Sequence, residues 1–400
     1  MTHLVFLPVK DKIQQGTFLF CDPCVGSGGM ITMSKQFVLN PDGPIKSKAT
    51  IHLYGQESTP FIYATCKSDM LIKGEDPNKI AFGSTLSQYG FDKDLKFDFM
   101  LTNPPYGKTW APDKKALGVG PKGAIIDKRF MLKGSYKQEA VTSRVNDGQL
   151  MFVLHMLSKM KDTELGSRIA SVHNGSALFT GDAGQGESEI RKYIIETDLL
   201  EAIVALPNDM FYNTGIPTYI FIFTNRKAKN RKGKVQLINA TSEKFYYKMR
   251  KPLGKKRVEF STEHIPVIEK MFLNFEENEY CKIFDNADFG YAQITVNRPL
   301  KDEKGKIVTD SKGKSKPNPK LKDTENIPLK DDIQEFFERE VLPFAPDAWW
   351  DKKDTKIGYE INFAKYFYKH QPPRALTDIA KDIFAIEQET DGLLKDIIEA

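Results

Sequence analysis

The sequence predicts an α/β protein: a Rossmann-like, doubly wound and mostly parallel sheet with an antiparallel hairpin at its end, followed by a mostly helical C-terminal region. Three observations carry that expectation. Short apolar runs alternate with longer helix-like stretches through the first half. A glycine-rich turn follows the first of those runs. The last two runs are joined by a loop with no room for a helix, so they pair antiparallel.

Taken in order, GTFLFCDP, TIHLYGQE, KFDFMLTNPP, SRIASVHN, LEAIVALP and TYIFIFTN read as buried strands. The first leads into Asp22-Pro23-Cys24-Val25-Gly26-Ser27-Gly28-Gly29. Glycines there let the backbone turn tightly and approach a ligand, and the next helix begins with free N–H groups. It is neither the G-x-G-x-x-G of dinucleotide enzymes nor a phosphate loop with its lysine. An acidic residue at the strand end, Asp22, suits a ligand with no phosphate at that point. S-adenosylmethionine is such a ligand, and Asp22 can accept from its amino group or from an intervening water. The second strand ends at Glu57, 35 residues later. A carboxylate in that place takes both hydroxyls of a ribose, although alone it also resembles any surface carboxylate.

The fourth strand runs into Asn103-Pro104-Pro105-Tyr106-Gly107. An amine conjugated to an aromatic ring is a poor nucleophile, because its lone pair is delocalised. The Asn103 side-chain oxygen and the Pro104 carbonyl can each accept one of its hydrogens. That localises the lone pair and stabilises charge developing on nitrogen. Two prolines hold the backbone in place, and Tyr106 offers a face for a stacked base. In duplex DNA the base must be flipped out first. The tetrapeptide also serves enzymes acting on glutamine amides, on guanine in RNA or on cytosine N4, and motif order leaves part of that set open.

Residues 108–144 carry nine Lys/Arg and three acids, a net of +6, and read as a DNA-facing lid that supplies phosphate contacts. Helices are expected from Gln149 to Lys161 and from Glu187 to Glu196, and the hairpin strands near 201–206 and 218–224 flank Pro207 and Gly215. Three parts follow: 1–245 as the catalytic domain, 246–330 as a mixed segment, and 331–400 as a helical region. Within the second, KDEKGKIVTDSKGKSKPNPKLKD reads as a loop or flexible arm. At the end, Leu376, Ile379, Ile383, Ile386, Thr390, Leu393 and Ile397 form a heptad seam after Pro372-Pro373. Such a seam suits partner helices or the chain's own domain.

Composition bounds the rest. The chain has 400 residues, 40% of them hydrophobic, enough for a sizeable core. A net charge of +5 permits a nucleic-acid partner without demanding one. No apolar run is long enough for a membrane span and no signal peptide is seen, which places the protein in the cytoplasm. Cys21, Cys24, Cys66 and Cys281 are too scattered for a disulfide framework, and the Cys21/Cys24 pair reads as small buried residues. His155 reads as packing, His173 as a possible support near the site, and Trp349 and Trp350 as anchors of the C-terminal part.

On DPCVGSGGM, LYGQE, FDFMLTNPPYG, DGQLMFVLHMLSKM, ESEIRKYIIETDLLEAIVALPNDMFYNTGIPTYIFIF, EREVLPFAPDAWWD and IGYEINFAKYFYKHQPPR, the chain resembles the modification subunits of type I restriction–modification systems. These are adenine-N6 DNA methyltransferases of gamma motif order. The resemblance runs from about Thr17 to the C-terminus and implies the class I S-adenosylmethionine-dependent methyltransferase fold. It places S-adenosyl-L-methionine against Ser27, Gly28, Gly29 and Glu57, and the target adenine against Asn103 to Tyr106. The full candidate cofactor set is Asp22, Pro23, Gly26, Ser27, Gly28, Gly29, Glu57, Ser84 and Asn103. The catalytic set is Asn103, Pro104, Pro105 and Tyr106, with no metal. The family implies double-stranded DNA, a specificity subunit met by the C-terminal helix, a second modification subunit and a motor–nuclease subunit as partners. Two departures stand out. The chain opens close to the first strand, without the family's N-terminal helical domain and the segment that follows it. Where relatives often have Gly-Asp-x-Leu, it has Gly83-Ser84-Thr85-Leu86, which implies weaker cofactor binding. A catalytically idle scaffold binding partner subunits and DNA is the alternative reading.

Overall fold

A computed structural model describes residues 1–120, 123–132, 140–368 and 375–398. The chain forms two compact units, Met1–Phe363 and Ala364–Ala400.

The first unit is built on a nine-stranded sheet in the order β11-β8-β6-β7-β5-β4-β1-β2-β3. Its strands are β1 (Thr17–Asp22), β2 (Thr50–Glu57), β3 (Ile80–Phe82), β4 (Phe99–Thr102), β5 (Arg168–Asn174), β6 (Leu200–Leu206), β7 (Thr218–Thr224), β8 (Lys234–Asn239) and β11 (Cys281–Asp285). The helices that position the site are α1 (Thr2–Phe6), α2 (Gly29–Leu39), α3 (Pro60–Ile72), α4 (Ala111–Leu117), α5 (Gln149–Ser158), α6 (Ser176–Phe179) and α7 (Gly186–Glu196). β1, β2, β3, β4 and β5 run parallel. β7 inserts antiparallel between β5 and β6, so the expected hairpin is present. β6 is buried along its whole length, as a strand covered on both faces must be.

α1 closes one face of the sheet. The Phe6 ring lies 5.0 Å from Phe20 and 4.9 Å from Phe99. Arg168, on β5, donates to the Val5 carbonyl at 2.8 Å and to the Leu4 carbonyl at 3.1 Å, satisfying two carbonyls of the α1 turn. Its guanidinium pairs with Glu201 at 2.5 Å, both side chains 3% exposed.

The sheet is wider than the sequence suggested, because β8 and β11 add to its far edge. Gln236 breaks the apolar reading of β8, yet it is fully buried and its amide donates to the Met271 carbonyl at 2.8 Å. The segment beyond residue 245 thus contributes a strand to the main sheet. It also forms a hairpin of β9 (Tyr247–Leu253) with β10 (Lys256–Glu259). A separate three-stranded antiparallel sheet joins β12 (Gly290–Val296) to β13 (Asp323–Pro328) and β14 (Lys356–Tyr359). β14 lies inside the stretch expected to be mostly helical. It docks on the core through the Ile361 N–H to the Leu178 carbonyl at 2.8 Å and Arg191 Nε to the Tyr359 carbonyl at 2.6 Å. Between β12 and β13, the expected flexible arm instead folds into hydrogen-bonded turns (residues 298–322).

The second unit contains the helix Leu376–Ile398, which matches the heptad seam. Leu376, Ile383 and Ile386 are exposed, 59–84% of their surface open. Pro372-Pro373 and the side chains of Leu393 and Ile397 lie outside the described residues. Among the described residues no helix is long and apolar enough to cross a membrane.

Candidate functional site

Strand order turns outward in both directions at β1 and β4, and ligands of open α/β sheets bind outside the carboxyl ends of strands at such a switch point. Both motifs lie there. Phe20 pairs with Phe99 and Cys21 with Met100, so β1 and β4 leave the sheet side by side. The Thr102 hydroxyl donates to Asp22 Oδ1 at 2.7 Å, tying the last residue of β4 to the last of β1. Asn103 follows at once.

Asp22 is 2% exposed, and the Cys24 N–H also donates to its Oδ1, at 2.9 Å. Burial pushes its carboxyl up to about 7, with the Thr102 and Cys24 bonds opposing the rise. Asp22 therefore has a role that sequence reasoning did not assign to it: one oxygen fixes the turn and couples the two strands. The loop beyond needs glycine at two places. Gly26 and Gly28 have φ of +54° and +83°. A Cβ on Gly28 would fall 2.2 Å from Met70 Cε, whereas one on Gly26 or Gly29 would meet nothing within 4 Å. The loop thus packs against α3 on one side and faces open space on the other. Ser27 is exposed, and α2 begins at Gly29 with no side-chain cap, leaving its first amides available.

Glu57 is drawn to the same place. Its Oε2 accepts from the Gly26 N–H at 3.3 Å and its Oε1 from the Thr59 N–H at 2.7 Å. Pro23 is buried and its carbonyl accepts from the Thr85 hydroxyl, which ties the turn after β3 to the glycine loop. Ser84 is half-buried, and its hydroxyl accepts from the Leu86 N–H at 3.3 Å within that turn. All the candidate cofactor residues therefore lie on neighbouring strand ends. The space left open at Gly26 and Gly29 and the Glu57 carboxylate beside it fit a nucleoside-bearing cofactor with a positive end.

At the second motif, Asn103 and Pro105 are exposed, Pro104 is buried, and Tyr106 is half-buried with its ring against the core. Burial raises the Tyr106 phenol. Gly107, at φ +67°, turns the chain and donates its N–H to Asp147 Oδ1 at 3.2 Å. Asp147 heads a polar network that sequence reasoning missed. Gln149 Nε2 lies 2.6 Å from Asp147 Oδ2 and 2.7 Å from both Asn174 Oδ1 and Ser176 Oγ. The Ser176 hydroxyl donates to Asp147 Oδ2 at 2.8 Å. His173 Nδ1 sits 3.1 Å from Gln149 Oε1, and its buried Nε2 has no partner among the described residues. Burial lowers this imidazole to about 3, so it is neutral. The only signal for this network was the polar character of Asp147 and Gln149 at the head of an apolar helix.

The described parts of segment 108–144 are tied down at several points. Trp110 Nε1 donates to the Arg144 carbonyl at 3.0 Å. Arg129 donates to the Thr85 carbonyl at 2.8 Å and the Leu86 carbonyl at 2.6 Å, and pairs with Asp127 at 2.7 Å. It also touches His155, and burial together with this guanidinium keeps that imidazole neutral. Arg129 is thus a tether, not a phosphate contact as expected. Lys122, Lys133 and Lys137 lie outside the described residues. The thiols of Cys21 and Cys24 are both pushed up by burial, which keeps them protonated and unsuited to redox exchange. Among the described residues no cluster of three His, Cys, Asp or Glu could hold a metal ion.

The sequence model of the family described as N-6 DNA Methylase matches residues 4–302. The methylase subunit of the type I restriction enzyme MjaVII from Methanocaldococcus jannaschii is 30% identical over 269 residues, 66% of this chain and 42% of that protein. The MjaIX methylase subunit of the same organism is 29% identical over 266 residues, 64% of this chain and 41% of that protein. The chain therefore spans less than half the length of the curated relatives it matches. Among solved structures, the methyltransferase subunit of a type I restriction–modification system from Streptococcus thermophilus superposes with a TM-score of 0.57 at 24% identity. That match covers 72% of this chain and 54% of the other.

Proposed function

The chain belongs to the N-6 DNA methylase family, and from that premise we propose that it transfers a methyl group from S-adenosyl-L-methionine to N6 of an adenine flipped out of double-stranded DNA. We propose further that it does so as the modification subunit of a type I restriction–modification complex in the cytoplasm, with the C-terminal helix docking on a specificity subunit. The observation that supports this most is the Thr102–Asp22 hydrogen bond, which ties the strand end before the exposed Asn103 to the strand end before the glycine loop.

S-adenosylmethionine supplies an electrophilic methyl group when bound. In this reading Glu57 holds its ribose hydroxyls, and Gly26 to Gly29 let its chain approach the backbone. The Asn103 amide oxygen and the Pro104 carbonyl accept the two hydrogens of the adenine amine, which frees its lone pair and stabilises charge on nitrogen. Tyr106 stacks against the base. Residues 331–400 serve docking on the specificity subunit in this reading.

The test incubates the 400-residue chain with tritiated S-adenosylmethionine and duplex DNA, with and without a type I specificity subunit, and identifies the labelled nucleoside. N6-methyladenine is expected, and Asn103→Ala is expected to lower kcat by about 10²–10³-fold. Label in N4-methylcytosine, RNA or protein would overturn the substrate. Failure to bind S-adenosylmethionine in calorimetry would favour the idle scaffold.

A further inference from the structure

The arm between β12 and β13 is an internal repeat. Three octads follow one another: Pro299-Leu300-Lys301-Asp302-Glu303-Lys304-Gly305-Lys306, Ile307-Val308-Thr309-Asp310-Ser311-Lys312-Gly313-Lys314, and Ser315-Lys316-Pro317-Asn318-Pro319-Lys320-Leu321-Lys322. The fourth position is Asp, Asp or Asn, and the sixth and eighth are lysine each time. Its structure repeats too. Asp302 Oδ1 accepts from the Lys304 N–H at 3.0 Å, Asp310 Oδ1 from Lys312 at 2.8 Å, and Asn318 Oδ1 from Lys320 at 3.0 Å. The same three residues accept at their carbonyls from Gly305, Gly313 and Leu321. The second positions close a ring: the Leu300 N–H donates to Lys316, Lys316 to Val308, and Val308 to Leu300, at 2.8–2.9 Å. Three like turns therefore project from one small frame.

That frame gathers charge. Residues 298–322 hold nine Lys/Arg against three acids, a net of +6 in a chain whose total is +5, so the remainder is slightly acidic. Lys304, Lys306, Lys312, Lys314, Lys320 and Lys322 are all exposed. Among the described residues none of the six lies within 4.0 Å of a carboxylate. Asp302 and Asp310, at the fourth positions of the first two octads, already accept two backbone N–H groups each on one oxygen. Six exposed ammonium groups, without a carboxylate partner among the described residues, on a hydrogen-bonded triple turn match a polyanion with regularly spaced charges.

We propose that this crown of lysines is a sequence-independent docking surface for the phosphate backbone of DNA. It goes beyond the methyl-transfer reading and takes only DNA as polymer from it. Lysine heads at the turn tips make point-charge contacts that release counterions and carry no base readout.

The test measures binding of the full chain to a fluorescent duplex of arbitrary sequence across a salt titration. The variant changes all six lysines to glutamine, and a second changes them to arginine. Every phosphate that a lysine no longer neutralises makes the slope of log affinity against log salt shallower by about 0.9. A decrease of about 2 or more in that slope is expected for the glutamine set, and none for the arginine set. Both variants should keep the wild-type melting temperature. An unchanged slope in the glutamine set overturns the proposal and leaves an acidic protein surface as the crown's remaining partner class. Methyl transfer is scored separately by N6-methyladenine formation, so each reading stands or falls by its own measurement.

Discussion

At Asp22 the same burial that lifts the carboxyl to about 7 gives folding a pH dependence with a definite sign. The folded state holds its proton more tightly than the unfolded chain, so this residue's contribution falls as pH rises from about 4 to about 7. Asp22→Asn keeps an oxygen for Thr102 and Cys24 and removes the buried charge. We expect the variant to melt higher than wild type at pH 8, by up to about 4 kcal/mol of stability, and equally at pH 4. Thermal melts at the two pH values check this, and equal gains at both would refute it. The buried Arg168–Glu201 pair works in the other direction. Arg168→Met leaves the buried Glu201 carboxylate to Arg231, 3.9 Å away, and takes the donor from the Leu4 and Val5 carbonyls. A loss of about 3–5 kcal/mol in urea unfolding is expected.

Between elements, the turn after β4 is held by α5 and the end of β5 through Asp147. Asp147→Ala removes the acceptor for the Gly107 N–H and leaves Gln149 and Ser176 to reorganise. Hydrogen exchange at residues 106–110 should rise while the glycine loop stays protected. Exchange as slow as in wild type would show that the prolines alone hold the turn. This network also marks the limit of what the sequence makes legible. The glycine loop and Asn103 to Tyr106 are contiguous strings at strand ends, and the strands beside them are runs with few polar interruptions. Asp147, Gln149, Asn174 and Ser176 come from two places in the chain and meet only after folding. β8 was hidden by Gln236, whose buried amide finds its partners only in the finished core. The octads were masked by their lysines, which read as a solvated arm, although the period of eight was there to be counted.

Over the whole molecule, the first compact unit runs to Phe363 and draws strands from both sides of residue 245. A fragment ending at Phe363 should therefore keep a cooperative melt with an unchanged midpoint, whereas one ending at residue 245 should lose it. A broad, shallow transition in the longer fragment would contradict this. The helix Leu376–Ile398 presents Leu376, Ile383 and Ile386 to solvent.

The tethers at Trp110, Arg129 and Arg144 bear on how this region can change over evolutionary time. Between them, added or deleted residues alter spans whose ends are already fixed, at a closure entropy that grows only with the logarithm of length. At the tethers themselves, a one-residue shift would unseat the guanidinium from the Thr85 and Leu86 carbonyls and, through Thr85, slacken the turn at Pro23. Natural length variation should accordingly collect in the spans and avoid the anchor points, and engineered tags belong in the same intervals.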